Sequence, residues 1–154
     1  MAVVSKACLR RQGFTLLELL VTISIIGILM AIGSVSFSTA QKKGRDSRRQ
    51  GDMTAIQKSL EQCYALDSEY PQTVSSGSSL ECEGGTVTMN LVPDDPKPDK
   101  DYTYSINANP ATIYCLCAWL ENDGSGNAST TGAGGVCVWA TGATADYFCV
   151  SNQQ

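Results

Sequence analysis

Residues 16–37 form one apolar segment of 22 positions whose only charged side chain is Glu18. As a helix it reaches about 33 Å at roughly 1.5 Å per residue, enough to cross a hydrocarbon core about 30 Å thick. The segment predicts a membrane-spanning helix. A secretory signal peptide is the rival reading, because Lys6, Arg10 and Arg11 precede the apolar run. It requires a shorter core and a small-x-small cleavage site; residues 31–40 offer small side chains without a clean break, which ranks it second. A lipoprotein signal fails because Cys8 has no apolar run in front of it.

Seven cysteines and no histidine divide around this segment: Cys8 before it, and Cys63, Cys82, Cys115, Cys117, Cys137 and Cys149 after it. Six on one side suit three disulfides in an oxidising compartment. Structural zinc calls for clustered pairs, and only one C-x-C occurs, so zinc ranks behind disulfides. Cys115 and Cys117 lie two apart on one strand face and are not expected to pair with each other. Cys63 with Cys82 is the expected tie between helix and loop, the other four forming two further bonds of open connectivity.

Charge is segregated as well. Residues 39–50 hold Lys42, Lys43, Arg45, Arg48 and Arg49 against Asp46, whereas residues 51–154 carry a net charge of −10. So acidic a head repels a phosphate backbone, and direct nucleic-acid binding is not expected from it. The basic stretch can meet lipid headgroups, a neighbouring acidic subunit or solvent, and its place just past a membrane helix favours the headgroups. Positive residues flank both ends of the span, so their count alone does not orient it.

Beyond the span, residues 38–66 lack proline, and Met53, Ile56, Leu60 and Cys63 recur at helical steps as an apolar stripe. Helix and span read as one continuous rod of about 80 Å, ended by Tyr70-Pro71. Residues 72–85 read as loop. Strands are predicted at 86–92, 102–107, 112–120, 136–140 and 147–150, with a turn at 93–98 and a hairpin turn at 122–127 following Leu120. Both alternating faces of residues 113–120 are apolar, which requires cover on both sides, the helix stripe supplying one. The expected fold class is α+β: a long N-terminal membrane-spanning helix carrying a small, disulfide-bonded antiparallel head.

The most informative residues are Arg10-Arg11-Gln12-Gly13-Phe14-Thr15-Leu16-Leu17-Glu18. A glycine before a bulky apolar residue leaves backbone open to proteolysis at the membrane surface, while the basic residues hold the amino end on one side. Glu18 is costly in lipid, about 2.5–3.5 kcal/mol at mid-bilayer and less near the interface, and needs a partner; without one it would snorkel at the helix end. The run resembles the class III signal of the type IV pilin superfamily. The resemblance implies cleavage by prepilin peptidase between Gly13 and Phe14, and methylation of the new Phe14 amine. It further implies pairing of that amine with Glu18 between adjacent subunits of a homopolymeric filament. Gly27 matches a position where the family often carries glycine, and Val35 stands where it often carries proline.

By the same resemblance the chain divides into a cleaved leader (1–13), a transmembrane and polymerisation helix (14–37), its amphipathic outer half (38–70) and a loop-and-sheet head (71–154). The precursor would sit in the cytoplasmic membrane with its head outside, then move to a periplasmic or cell-surface filament through a pilus or type II secretion assembly platform. Residues 45–71, 92–96 and 102–105 are similar in style to the major pseudopilins of type II secretion. Catalysis draws little support: without histidine there is no His-based triad, and the cysteines suit bridging. No catalytic residue and no metal ligand is assigned. Asp94, Asp95, Asp99, Asp101 and the 122–127 turn are read as turn chemistry, with calcium as their alternative, though the closing glutamate of a calcium loop is missing. A single-pass anchored binding domain is the other functional reading; it leaves R-R-Q-G-F unexplained.

Overall fold

The computed structural model describes residues 13–107 and 110–154; the basic leader with Lys6, Cys8, Arg10 and Arg11 lies outside the described residues. Element order is α1 (Leu16–Asp67), β1 (Leu80–Glu81), β2 (Val87–Met89), β3 (Thr103–Ile106), β4 (Tyr114–Trp119), β5 (Ala128–Ala133), β6 (Val136–Trp139), a single 3-10 turn (Gly142–Thr144) and β7 (Tyr147–Ser151). The chain separates into two compact units at Thr39/Ala40. The first unit holds the apolar part of α1, and no described residue of its most apolar window is buried within the chain. The described large apolar side chains there are exposed all round the helix, as lipid solvation or helix–helix packing would require. Three of its hydroxyls are paired within the helix itself: Thr22 Oγ1 donates to Leu19 O at 2.8 Å, Ser24 Oγ to Leu20 O at 2.7 Å and Ser34 Oγ to Ala31 O at 3.1 Å.

In the second unit, α1 ends earlier than Tyr70-Pro71 suggests. Ser68 takes a left-handed φ of 61° and donates its N–H to Tyr64 O at 2.8 Å, closing the last turn before the proline acts. Met53, Ile56, Leu60 and Cys63 are fully buried and meet Tyr114, Leu116, Ala118 and Val150, one face of β4 and β7. The other face of the same strands, Cys115, Cys117 and Cys149, packs under Ala128 and Cys137. The two-sided apolar pattern of residues 113–120 is thus met by α1 on one side and the β5–β6 hairpin on the other.

The strand order β3-β4-β7-β5-β6 corrects the hairpin expected after Leu120. The turn at 122–127 does not join paired neighbours, because β7 lies between β4 and β5. The short β1 lies inside the stretch expected as loop, and no strand is expected at β5; β5 is a covering strand of small and hydroxyl side chains with an irregular register, and has no apolar alternation to reveal it. It hangs from β7 by the single pair Ala128↔Tyr147. In a flat sheet β4 and β6 would lie about 14 Å apart, three spacings of about 4.8 Å, yet Cys115 and Cys137 are bonded with Cα atoms 5.2 Å apart. The hairpin therefore folds back across the sheet. Two glycines allow it: a Cβ on Gly126 would strike Tyr147 O, and one on Gly135, at φ 80°, would strike Ile113 O.

The remaining disulfides are Cys63–Cys82, joining α1 to the segment after β1, and Cys117–Cys149, bridging directly opposed residues of β4 and β7. Each adds about 2–4 kcal/mol in a typical small domain.

Candidate assembly site and the head's buried ion cluster

The residues singled out by the sequence for processing and assembly sit at the start of α1. Gly13 and Phe14 precede the helix; Phe14 is 90% exposed, and a Cβ on Gly13 would meet nothing within 4 Å. Among the described residues a Cβ at Gly13 would therefore have open space. Thr15 is the N-cap and Glu18 the third helical residue, and the two form a capping box. Thr15 N–H and Oγ1–H donate to Glu18 Oε2 at 2.8 and 2.9 Å, and Glu18 N–H donates to Thr15 Oγ1 at 3.2 Å. Glu18 is thus neither an unpartnered snorkelling acid nor dependent on an amine to be hydrogen-bonded. One carboxylate oxygen is engaged locally, and the group is anchored one turn from the end where the Phe14 amine would form.

The basic stretch divides in a way the sequence reading missed. Lys42 and Lys43 are exposed, but Arg45 and Arg49 turn into the head instead of toward headgroups. Arg49 is fully buried; its Nε and Nη2 donate to the two oxygens of Asp95 at 2.7 Å each, and its Nη1 to Asp46 at 2.9 Å and Glu121 at 3.2 Å. Arg45 grips Glu121 through both oxygens at 2.5 and 2.7 Å, and Lys97 Nζ adds a third cation at 3.0 Å. Asp46 also accepts the Glu121 and Asn122 backbone N–H groups at 2.9 and 3.1 Å. The cluster locks α1 to the 93–98 turn and to the end of β4. Trp119 lies alongside, its ring centroid 5.7 Å from the Arg49 guanidinium and 4.8 Å from Lys100 Nζ.

A sequence signal for this was present. Positions 45, 49, 53, 56, 60 and 63 continue one helical stripe, so Arg45 and Arg49 extend the buried face toward the membrane end. Two residues weighed for calcium are committed in the same cluster: Asp95 to Arg49, and Asn122 through its side-chain amide to Asp46 at 2.5 Å. Glu61 was also missed. Its carboxylate accepts the hydroxyls of Tyr70 and Tyr114 and the backbone N–H of Gln153, tying the C-terminal strand end to α1. Burial, with Glu61 beside it, pushes the Tyr114 phenol well up, so the hydroxyl stays a donor.

The Arg45 guanidinium first, then Lys97 and Arg49, hold the Glu121 carboxyl well below the usual carboxylate range despite its burial. A group with a depressed folded pKa contributes fully above its unfolded pKa of about 4.3 and loses that contribution as pH falls further. The urea midpoint of the head is expected to be flat from about pH 7 to 5 and to fall below about pH 4. In Glu121→Gln the acid decline should be shallower; an unchanged decline would remove Glu121 from the account.

An α+β head with three cysteine pairs behind a long N-terminal apolar helix fits the pilin fold class. Residues 8–34 match the family model of the prokaryotic N-terminal methylation motif, so the chain carries a class III signal peptide, consistent with the type IV pilin-like family. The motif implies processing by prepilin peptidase and anchoring in a membrane as a precursor. No curated protein and no solved structure matches the chain.

Proposed function

We propose that the chain is the precursor of a structural subunit of a type IV pilus or pseudopilus filament. Prepilin peptidase cuts between Gly13 and Phe14 and methylates the Phe14 amine. The processed subunit, head outside, is then drawn from the membrane by an assembly platform into a polymer of its own copies. The observation that carries the reading is the methylation motif running into an apolar helix that is exposed all round and bears one carboxylate, Glu18. Among the described residues nothing covers this helix, and lipid followed by neighbouring copies supplies a partner.

Intact mass and amino-terminal sequence of protein recovered from sheared surface filaments, with and without reduction, test this directly. The expected product starts at methylated Phe14 and is lighter, unreduced, by the mass of two hydrogens per bridge. A start beyond Ala31, or an intact Met1 retained in the membrane, would overturn the reading and favour a secreted or anchored binding domain.

A further inference from the structure

A groove of about 420 Å³ opens near the far end of α1, between Gln62, Ala65 and Leu66 on the helix and Thr86, Val87 and Thr88 at β2. Its two walls are tied together, because the Cys63–Cys82 disulfide joins the residue after Gln62 to the residue after Glu81. The groove therefore stands before anything enters it. Leu66 is 60% exposed and Val87 47%, so both present apolar surface to it. Glu81 is the cross-strand partner of Val87, which puts its carboxylate on the same face. Asp67 follows Leu66 and accepts the Gly84 N–H at 2.7 Å. Lys58 lies one helical turn before Gln62, at the other end of the groove from Asp67. Apolar walls with acids on the rim fit a partner surface of small side chains that bears cations.

The chain carries such a surface itself, at the start of its second unit. Arg45 and Arg49 are held in the buried cluster and Arg48 pairs with Asp52, whereas Lys42 and Lys43 are exposed and, among the described residues, meet no acid. Beside them Gly44, Ser47 and Gly51 are exposed, and a Cβ on either glycine would have open space, so another backbone can come close. Lys43 and Leu66 are separated by about 34 Å of one helix at roughly 1.5 Å per residue, so no chain reaches its own groove with its own lysines. We propose that this stretch of α1 docks into the groove of a second copy displaced along the helix axis, with Lys42 and Lys43 pairing with Glu81 and Asp67 of that copy. The contact rests on the filament reading above and gives the heads a way to hold one another. Identical heads whose residues 51–154 carry a net −10 repel, and the lysines offset that repulsion where they meet the rim. Because the two surfaces differ, each copy keeps a free groove at one end and free lysines at the other, and addition continues without closing.

Sheared filaments are treated with a zero-length carbodiimide and the linked peptides identified by mass, while filament yield is measured against total cleaved protein. The expected link joins Lys42 or Lys43 to Glu81 or Asp67 in covalent multimers. Lys42→Glu/Lys43→Glu should lower the yield at least about tenfold, and adding Glu81→Lys should raise it again at least about threefold. Leu66→Ser should lower it about fivefold at an unchanged urea midpoint, since that side chain is exposed in the single chain. A wild-type chain that gives no filaments overturns the filament reading and this contact with it. Filaments that lack the expected link, or a normal yield in Leu66→Ser, overturn the contact alone. So does a loss in Lys42→Glu/Lys43→Glu that Glu81→Lys leaves unrelieved, which assigns the lysines to lipid headgroups.

Discussion

Arg49→Ala is expected to lower the unfolding free energy of the oxidised head by about 3–5 kcal/mol, the cost of leaving buried charges without their partner. Arg49 is the one cation fully inside the cluster, and its removal leaves Asp95, 1% exposed, without its cation and takes one of the partners of Asp46, 7% exposed. Arg45 and Lys97 still neutralise Glu121, so the loss should centre on the 93–98 turn. Arg48→Ala is the internal control: its pair with Asp52 spans 3.7 Å, with the arginine 59% exposed, and exposed helical pairs contribute about 0.3–0.5 kcal/mol. Urea unfolding of the detergent-solubilised chain, followed by the fluorescence of Trp119 beside Arg49, separates the two. If Arg49→Ala loses less than about 1 kcal/mol, the cluster is an ornament of the fold and headgroup contact returns as its role.

The second large effect is expected at Glu18, where two roles can be pulled apart. Glu18→Gln keeps a side-chain acceptor for the Thr15 capping box but removes the charge; Thr15→Val keeps the charge but removes the hydroxyl that holds it. If Glu18 pairs with a neighbour's Phe14 amine during polymerisation, Glu18→Gln should cut filament yield about a hundredfold. A hundredfold corresponds to about 2.8 kcal/mol, the scale of a charge pair formed away from water. Thr15→Val should cut it far less, as a lost cap costs about 1 kcal/mol. Immunoblots of sheared filaments against total cleaved protein read both variants. Equal losses in the two would make Glu18 a helix cap, and normal yield in Glu18→Gln would remove charge pairing from assembly.

How the hairpin reaches Cys137 also bears on how the disulfides form. Cys117 and Cys149 face each other across one ladder, so their bond needs only that β4 and β7 align. Cys115 and Cys137 meet only after the hairpin has crossed the sheet, so that bond reports on tertiary folding as much as on chemistry. The unpaired contact of Cys115 with Cys117 follows from their two-residue spacing on one face.

The signal segment, the all-round apolar helix, the buried stripe from Met53 to Cys63 and the α+β class are all local: each is written in residue type and period over a few turns or one strand, and the sequence by itself determined them. Cover on both faces of residues 113–120 was also legible, because the strand's alternation has no polar side. What covers the second face was not. β5 has no apolar period, and its place over β4 and β7 follows from a fold-back that two glycines and one disulfide make sterically possible. The fate of Arg45 and Arg49 was likewise decided by tertiary structure. Helical spacing puts them on the buried stripe, but a charge there is tolerable only if acids from distant turns converge on it, and Asp95 and Glu121 are 46 and 72 residues further along the chain. Periodicity fixes which way a side chain points, whereas only the folded chain supplies the partner that lets a buried charge remain charged.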